Sequence, residues 1–413
     1  MKRILTIVGA RPQFIKAAAI SHAIRENYSD RITEDILHTG QHYDDRMSAQ
    51  FFKELDIPQP RYNLGVGSGH HGEQTAAMIK GIEDILLSEH YDGVTVYGDT
   101  NSTLAGALAA AKLHVPVYHI EAGLRSFNRS MPEELNRILT DHASSLLFAP
   151  TKTAMQNLWN EGFRDDRVVF SGDVMLDNVR HYAPIAIQNA QFSNLNSQYI
   201  LATVHRDFNT DNPIRLKNIL SALDAVAEQH LATILFPLHP RTKKQIQSSG
   251  LNLSGLHFQI VEPLSYLETL AALQRCALVI TDSGGLQKEA YFSHKACVVL
   301  RPETEWTEIV DAGAAILADD DKSLIVKAAD ELWKTQTPEP KEFGDGNASN
   351  TIIDSILQAF VRYKSDISPI QVRCKSDRRR NRKSAFLTLF NVSLCNIIQF
   401  RALNKFVLYA LIN

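Results

Sequence analysis

Two doubly wound α/β domains, each a parallel sheet with helices on both faces, are predicted from three observations. Short apolar runs rich in β-branched residues alternate with longer stretches of helical period. The alternation comes in two sets separated by a polar stretch, AIQNAQFSNLNSQ, at residues 186–198. A chain of 413 residues, 44% of them hydrophobic, is also long enough to bury two cores.

In the first set KRILTIVG (2–9) has a basic start, but its apolar run is too short for a secretion signal and reads as a buried strand. IKAAAISHAIREN (15–27) has the i, i+3, i+4 spacing of a helix. DGVTVYGD (92–99) is the next strand, followed by the helical STLAGALAAAKLH (102–114). VPVYHIEAG (115–123), SLLFAPT (145–151) and DRVVFSGD (166–173) complete this set of strands. The second set is YILATVH (199–205), ATILFPLH (232–239), HFQIVEP (257–263), ALVITDSGG (277–285) and ACVVLRPE (296–303). Continuous apolar strands with helices between them are the pattern of parallel sheets covered on both faces. The first domain is therefore assigned to residues 1–175 and the second to 176–345, with the crossing near 176–198, a closing helix at 346–364 and an atypical tail at 365–413. No solenoid-period repeat is present.

Charge and cysteine usage exclude several classes. Residues 365–413 carry nine Lys and Arg against two Asp, whereas the remainder carries 34 Lys and Arg against 44 Asp and Glu. An acidic body argues against general nucleic-acid binding. Cys276, Cys297, Cys374 and Cys395 form no CxxC pair, so neither a disulfide framework nor a zinc knuckle is expected and a cytoplasmic protein is. In the tail, RCKSDRRRNRK precedes AFLTLFNVSLCNIIQF, 16 mostly apolar residues that are short for a membrane span. It reads as a segment for an anionic membrane surface or, preferably, as an extension without a packed structure.

Open α/β sheets bind ligands at the carboxyl ends of their strands. Those ends carry Gly9-Ala10-Arg11, Asp99, His119 with Glu121, His205-Arg206, His239, Asp282-Ser283 and Arg301. Any one could be a helix cap; their convergence from two domains favours a ligand cleft. In TDSGGLQKEA, Ser283, Gly284 and Gly285 leave a strand and open a helix, where a phosphate can approach free backbone N–H groups. Glu289 could accept from a ribose diol, Arg301, Thr304 and Glu305 could hold phosphates, and Asp282 reads as a cap. Arg11 and Lys16 of GARPQFIK could neutralise a diphosphate. GVGSGHHGEQT (65–75) looks like a dinucleotide loop, but it lacks a clear preceding strand and a closing acidic residue, so NAD is not expected. A lid over the ligand is the preferred reading of that loop.

HIEAGLRSFNRSMPEELNR (119–137) gathers carboxylates and arginines at a strand end. In the helix that Pro132 opens, Leu135, Ile138 and Leu139 are expected to form the buried stripe, with Glu133 opposite and Glu134 flanking it. Two readings of Glu133 stand together, a first-turn carboxylate complementing the helix dipole and a catalytic group. Strand alternation puts His119 and Glu121 on one face beside Asp99. Clustered carboxylates raise one another's pKa, which suits proton transfer at a weakly acidic carbon.

GARPQFIK, TGQH (39–42), YGDTNST, HIEAGLR, MPEELNR, TVHRD, DSGGLQKEA and RPETEW occur in the order and at the intervals seen in the non-hydrolysing UDP-N-acetylglucosamine 2-epimerases, which residues 1–364 resemble. The resemblance implies two Rossmann-like domains facing a central cleft, as in many nucleotide-sugar glycosyltransferases, a homodimer, and no metal or redox cofactor. It also implies anti elimination of UDP through a 2-acetamidoglucal intermediate and syn re-addition, in the supply of bacterial surface polysaccharide precursors such as those of lipopolysaccharide. By motif, Asp99, Glu121 and Glu133 correspond to the acid/base carboxylates and His205 to the residue assisting UDP departure. Arg11, Lys16, His239, Ser283, Gly284, Gly285, Glu289, Arg301, Thr304 and Glu305 correspond to the UDP site. TEWTE (304–308) stands where the family often has TERPE, and His239-Pro240-Arg241 where it has HPN-like residues. With GDVM (172–175), these features resemble the branch acting on UDP-2,3-diacetamido-2,3-dideoxyglucuronate, whose extra carboxylate Arg125, Arg129 or Arg241 could pair. Some members bind an activating second substrate through the TGQH loop; Gln41 and His42 are present, but Tyr43-Asp44-Asp45 departs from the pattern. A UDP-sugar glycosyltransferase of the same architecture, a hydrolysing epimerase and an inert binding module are the alternative readings.

Overall fold

The computed structural model describes residues 1–40, 51–188 and 199–361. The TGQH loop beyond Gly40, most of the polar joining stretch and the basic tail lie outside the described residues.

Residues 1–355 form one compact unit that contains two parallel sheets. Strands β1 (Lys2–Val8), β2 (Ile32–His38), β3 (Tyr62–Asn63), β4 (Gly93–Tyr97), β5 (Val117–Ile120), β6 (Leu146–Ala149) and β7 (Val168–Phe170) are ordered β3-β2-β1-β4-β5-β6-β7. The second sheet, of β8 (Tyr199–Thr203), β9 (Thr233–Pro237), β10 (Phe258–Val261), β11 (Leu278–Thr281), β12 (Cys297–Val299) and β13 (Ala315–Leu317), is ordered β10-β9-β8-β11-β12-β13. In each, the order reverses beside the first strand, between β1 and β4 and between β8 and β11, which is where such sheets open a binding crevice. The residues that follow these four strands belong to the site below, with Glu121 from the end of β5. Residues 356–361, the described part of the second unit, are helical.

Three strands escape the apolar-run reading, for physical reasons. ITEDILH of β2 carries Glu34 in its middle, a carboxyl that accepts from Thr6 Oγ1 and Ser21 Oγ at 2.5 Å each and that burial pushes upward. Its neighbour Asp35 pairs with Arg3. β3 and β13 are two and three residues long, too short to show a period.

The first sheet is joined by α1 (Arg11–Ala23), α2 (His71–Ser88), α3 (Asn101–Lys112), α4 (Pro132–Ala143) and α5 (Lys152–Asn160), and α6 (Val174–Ile187) follows at the crossing to the second. The second adds a short α7 (Asp207–Thr210), then α8 (Pro213–Gln229), α9 (Pro240–Ser248), α10 (Tyr266–Arg275), α11 (Gly284–Phe292) and smaller helices. One core packs Leu5, Ile7, Val94 and Val96 of the first sheet against Met78 and Ile82 of α2 and Ala105 and Ala109 of α3. The other packs Ile200, Ile234, Phe236 and Val298 against Ile219 and Leu223 of α8. Each buried Val, Leu, Ile, Met or Phe side chain among these contributes about 1.5–3 kcal/mol.

Helix α6 links the domains and packs on both. Asn178 Nδ2 donates to the Ile15 carbonyl at 2.6 Å, Tyr182 Oη to that of Leu55 at 2.6 Å, and the Tyr182 ring meets Tyr266 of α10 edge-on at 5.7 Å. Helix α4 departs from expectation. Its buried residues are Glu134, Asn136, Arg137, Thr140 and Asp141, whereas Leu135 and Leu139 are 45% and 49% exposed. The inward face is polar because it lies under a charged site, so the apolar stripe points away from the core.

Candidate active site

Strand β5 ends at Ile120, and Glu121 takes a left-handed backbone conformation, φ +70°, which a non-glycine residue keeps only where its surroundings enforce it. The turn, rather than strand alternation, therefore aims its side chain. Lys16 Nζ of α1 donates to Glu121 Oε1 at 2.5 Å, and Lys288 Nζ of α11 donates to Oε2 at 2.9 Å. Lys288 also donates to Asp173 Oδ2 at 2.7 Å and lies 4.1 Å from the centroid of the Trp306 indole, a cation–π contact. Gly98, at φ +63°, makes the space: a Cβ there would sit 3.0 Å from Lys16 Nζ and 3.4 Å from Glu121 Oε1.

Burial pushes the Glu121 carboxyl up, but the charges and hydrogen bonds of Lys16 and Lys288 overcome it and hold the pKa at about 2. The mutual raising expected of clustered carboxylates is thus overturned at Glu121, where two buried cations outweigh burial. At Asp99 the pKa is raised, but burial is the chief cause and the neighbouring carboxylates add to it only after Arg137 and Lys16 have opposed it. Surrounding protein pushes this carboxyl up, Arg137 and Lys16 pull it down, Glu121 and Glu133 push it up, and the balance is a raised pKa. Asp99 keeps 31% of its side-chain surface and accepts from Arg137 Nη1 at 2.6 Å. The structure therefore brings Asp99, Glu121 and Glu133 into one electrostatic cluster. The structural role in the first turn of α4 falls to Glu134, which accepts from the backbone N–H groups of Ser126 and Phe127 at 3.0 Å each and from Arg137.

Beneath the cluster is a buried ion network. His119 Nδ1 lies 2.6 Å from Asp141 Oδ1 and its Nε2 2.8 Å from the Gly98 carbonyl. Asp141 Oδ2 accepts from Arg125 Nη2 at 2.7 Å and from the Gly123 N–H at 3.2 Å. Arg125 also pairs with Glu161 at 2.7 Å. The network fixes both turns that carry Asp99 and Glu121. It also removes Arg125 as a reader of a substrate carboxylate, since that guanidinium is buried and engaged; Arg241 is paired with Asp211, and Arg129 is exposed.

On the second domain, Ser283 caps α11, its Oγ accepting from the Leu286 N–H at 3.3 Å while its own N–H donates to Thr281 Oγ1 at 2.9 Å. This leaves the Gly284 and Gly285 N–H groups at the positive helix end. A Cβ on Gly284 would lie 2.6 Å from Glu305 Oε1, so a side chain there requires the Glu305 carboxylate to move. Nearby, Gln287 Nε2 and Trp306 Nε1 are buried and meet no acceptor among the described residues. Buried N–H groups are nearly always paired, and these point to an oxygen-rich ligand. Arg301 pairs with Glu305 at 2.9 Å and Thr304 Oγ1 donates to Gln287 Oε1 at 2.8 Å, so this trio braces the helix start.

Asp282 is a brace for the His205 turn, while the capping expected of it belongs to Ser283. Its buried carboxylate accepts the N–H groups of His205 and Arg206 at 3.0 Å each and lies 3.2 Å from His205 Nδ1. The His239 ring is 6.1 Å from that of His205; burial, followed by the charges of His205, Arg241 and Arg11, lowers its pKa. Glu289 is buried and pushed up by burial, with Arg11 and Lys288 opposing. Arg11 reaches across the domains, donating to the Leu264 carbonyl at 3.2 Å with Phe51 4.9 Å below its guanidinium. Its charge is felt at both His239 and Glu289, so the site residues of both domains converge. The GVGSG loop is tied in place, Gln74 Nε2 donating to the Gly67 carbonyl at 2.7 Å and Asn101 Nδ2 to Gln74 Oε1 at 2.8 Å.

Four charged residues of the site were not singled out from sequence: Lys288, Asp173, Arg137 and Asp141. Lys288 and Arg137 lie inside quoted motifs, one turn beyond glycines or glutamates that were recognised. Their partners are too distant in the chain for spacing to reveal, as Lys288 and Asp173 illustrate at 115 residues apart.

The model of the UDP-N-acetylglucosamine 2-epimerase family matches residues 24–357. The chain is 49% identical over 359 residues to the UDP-2,3-diacetamido-2,3-dideoxy-D-glucuronate 2-epimerase of Pseudomonas aeruginosa, covering 86% of this chain and 99% of that protein. It resembles the crystal structure of the Methanocaldococcus jannaschii UDP-GlcNAc 2-epimerase in complex with UDP-GlcNAc and UDP, with a TM-score of 0.79 and 42% identity over 86% of this chain and 99% of that one. The Neisseria meningitidis UDP-GlcNAc 2-epimerase bound to UDP-GlcNAc gives a TM-score of 0.78 and 31% identity over 86% and 100% of the two chains.

Proposed function

We propose that this chain, which belongs to the UDP-N-acetylglucosamine 2-epimerase family and is a UDP-sugar 2-epimerase, inverts C2 by eliminating and re-adding UDP between Glu121 and Asp99. The observation that supports the mechanism is the unequal setting of these carboxylates: Glu121 accepts from two lysines that hold its pKa down, whereas Asp99 is paired with Arg137 alone and burial raises its pKa. Such a split separates base from acid within one site.

In the proposed cycle Glu121 takes the C2 proton, the C–H electron pair becomes the C1=C2 double bond, and the C1–O bond breaks with its pair going to the UDP phosphate oxygen. The departing diphosphate is stabilised by the Gly284 and Gly285 N–H groups with Arg11, His205 and His239. UDP then re-adds: its phosphate oxygen bonds C1 while the double bond takes a proton from Asp99 on the other face of C2. Glu121 ends protonated and Asp99 ionised, and exchange with solvent restores both. Glu133 tunes Asp99 by charge. A glycosyltransferase of this fold has no need of the split pair, and that reading is not retained.

The proposed substrate is UDP-2,3-diacetamido-2,3-dideoxyglucuronate, supported by the 49% identity to the P. aeruginosa enzyme against 43% to the M. jannaschii UDP-N-acetylglucosamine 2-epimerase. Of the arginines considered for its extra carboxylate, Arg129 is the one without an assigned ion-pair role above. Turnover of the two purified UDP-sugars is expected to favour the diacetamido-glucuronate by at least tenfold in kcat/KM. Turnover of UDP-N-acetylglucosamine alone would end the substrate reading and leave the reaction standing.

A homodimer in a reducing cytoplasm completes the proposal, in the supply of an activated sugar for surface polysaccharide. Its support is the exposed Leu135 and Leu139 pair one helical turn apart, which a second copy would cover, and the buried free thiols of Cys276 and Cys297. No helix among the described residues is long and apolar enough to cross a membrane.

A further inference from the structure

We infer that Lys288 is a positioning residue that completes the proton-transfer site from the opposite domain, so that Glu121 is fully set only when the nucleotide-binding helix α11 is docked against it. The inference rests on the reading of Glu121 as a proton-transfer carboxylate. Its basis is geometric. Helix α11 opens with the Gly284 and Gly285 N–H groups and, one turn later, sends the Lys288 ammonium 2.9 Å from Glu121 Oε2. That ammonium is 2% exposed at the residue level, and its surroundings account for its donors: Glu121, Asp173 at 2.7 Å and the Trp306 indole face. It has no donor left for a phosphate, so its action on substrate passes through Glu121. Asp173, the N-cap of the inter-domain helix α6, fixes the other side of the ammonium through its Oδ2 while its Oδ1 accepts the Met175 N–H at 2.8 Å. One rigid helix thereby joins the end that receives the nucleotide to the cation that sets the carboxylate.

The charges facing Glu121 are Lys16 from α1, Lys288 from α11 and Asp99 from the end of β4; Asp173 and Glu289 act on it through Lys288, and Arg137 through Asp99. Removing Lys288 takes away one of the two cations that favour ionised Glu121. The carboxylate's pKa then rises, and because turnover needs it ionised, the acid limb of the kcat–pH profile moves up.

The test compares the full-length wild type with K288M, K288R and E121Q, following C2 exchange from D₂O across pH together with UDP affinity by calorimetry. K288M is expected to move the acid limb up by about one to three units, so that kcat falls roughly tenfold or more below the moved limb and far less near neutral pH, and to keep UDP affinity within about threefold. K288R restores the charge and is expected to return the limb toward its wild-type position. Because K288M leaves Asp173 buried without its cation, K288M/D173N is made in parallel; it removes both charges, and Asn still caps α6. A limb at the wild-type position in whichever of these variants folds, with E121Q inactive, overturns the role of Lys288 alone. Exchange retained in E121Q would instead overturn the reading of Glu121, and this inference with it.

Discussion

Glu121→Gln lowers kcat for epimerisation by about 10²–10⁴-fold, the usual contribution of a positioned acid or base, while UDP still binds. Gln keeps the shape of the side chain and its contact with Lys16 or Lys288, but it cannot take a proton from C2. The substitution also takes from Lys16 the carboxylate of its ion pair and leaves Lys288 with Asp173, so it carries a stability cost. That cost has a defined pH signature. The folded Glu121 carboxyl is held at about 2, below its unfolded value, so it contributes stability that is fully present above the unfolded pKa of about 4.3 and is lost as pH falls through the folded value. The wild type is therefore expected to outlast E121Q at neutral pH, and the difference to close on acidification below about pH 4. Stopped-assay turnover and thermal midpoints measured from neutral to acid pH check both parts. A variant with kcat within tenfold of wild type removes Glu121 from the chemistry.

The second large effect concerns stability rather than the reacting carbon. Asp141→Ala is expected to destabilise the first domain by roughly 3–5 kcal/mol, the range for breaking a buried ion pair by removing one partner. Asp141 is fully buried and serves His119, Arg125 and the Gly123 N–H, so its loss leaves the Arg125 guanidinium in the interior with Glu161 as its remaining carboxylate partner. Burial pushes the Asp141 carboxyl up, but His119 and Arg125 prevail and hold it below the ordinary range, so its contribution is present above about pH 4 and lost as pH falls further. Asp141→Asn is expected to fall less, since the amide oxygen can still accept. A thermal midpoint for Asp141→Ala within about 2 °C of wild type contradicts the account; for a domain of this size that corresponds to less than about 1 kcal/mol.

The two cases also mark where the sequence is informative. Continuous apolar runs revealed most of both sheets, because strands buried on two faces have no choice but to be apolar. They missed β2, whose central Glu34 is accommodated by two hydroxyls that no local pattern discloses. The strand-end rule located Asp99, Glu121, His205 and Ser283, since topology alone brings strand ends to the crevice. It could not foresee that α4 turns its polar face inward, because the usual apolar-stripe reading assumes a greasy partner, whereas this helix lies over Asp99 and the His119 network. Nor could it give the protonation bias of Glu121. That depends on Lys16 and on Lys288, the latter 167 residues away in the chain and 2.9 Å away in space.

The central claim is that protons are exchanged at C2 of a UDP-sugar that is released intact. Incubation of the wild-type enzyme with UDP-2,3-diacetamido-2,3-dideoxyglucuronate in D₂O, followed by NMR at C2, tests it most directly. The account predicts solvent deuterium at C2 in both epimers, with the sugar still joined to UDP. Epimerisation with C2 protium fully retained would contradict it, as would free sugar with UDP or ligand binding without any exchange.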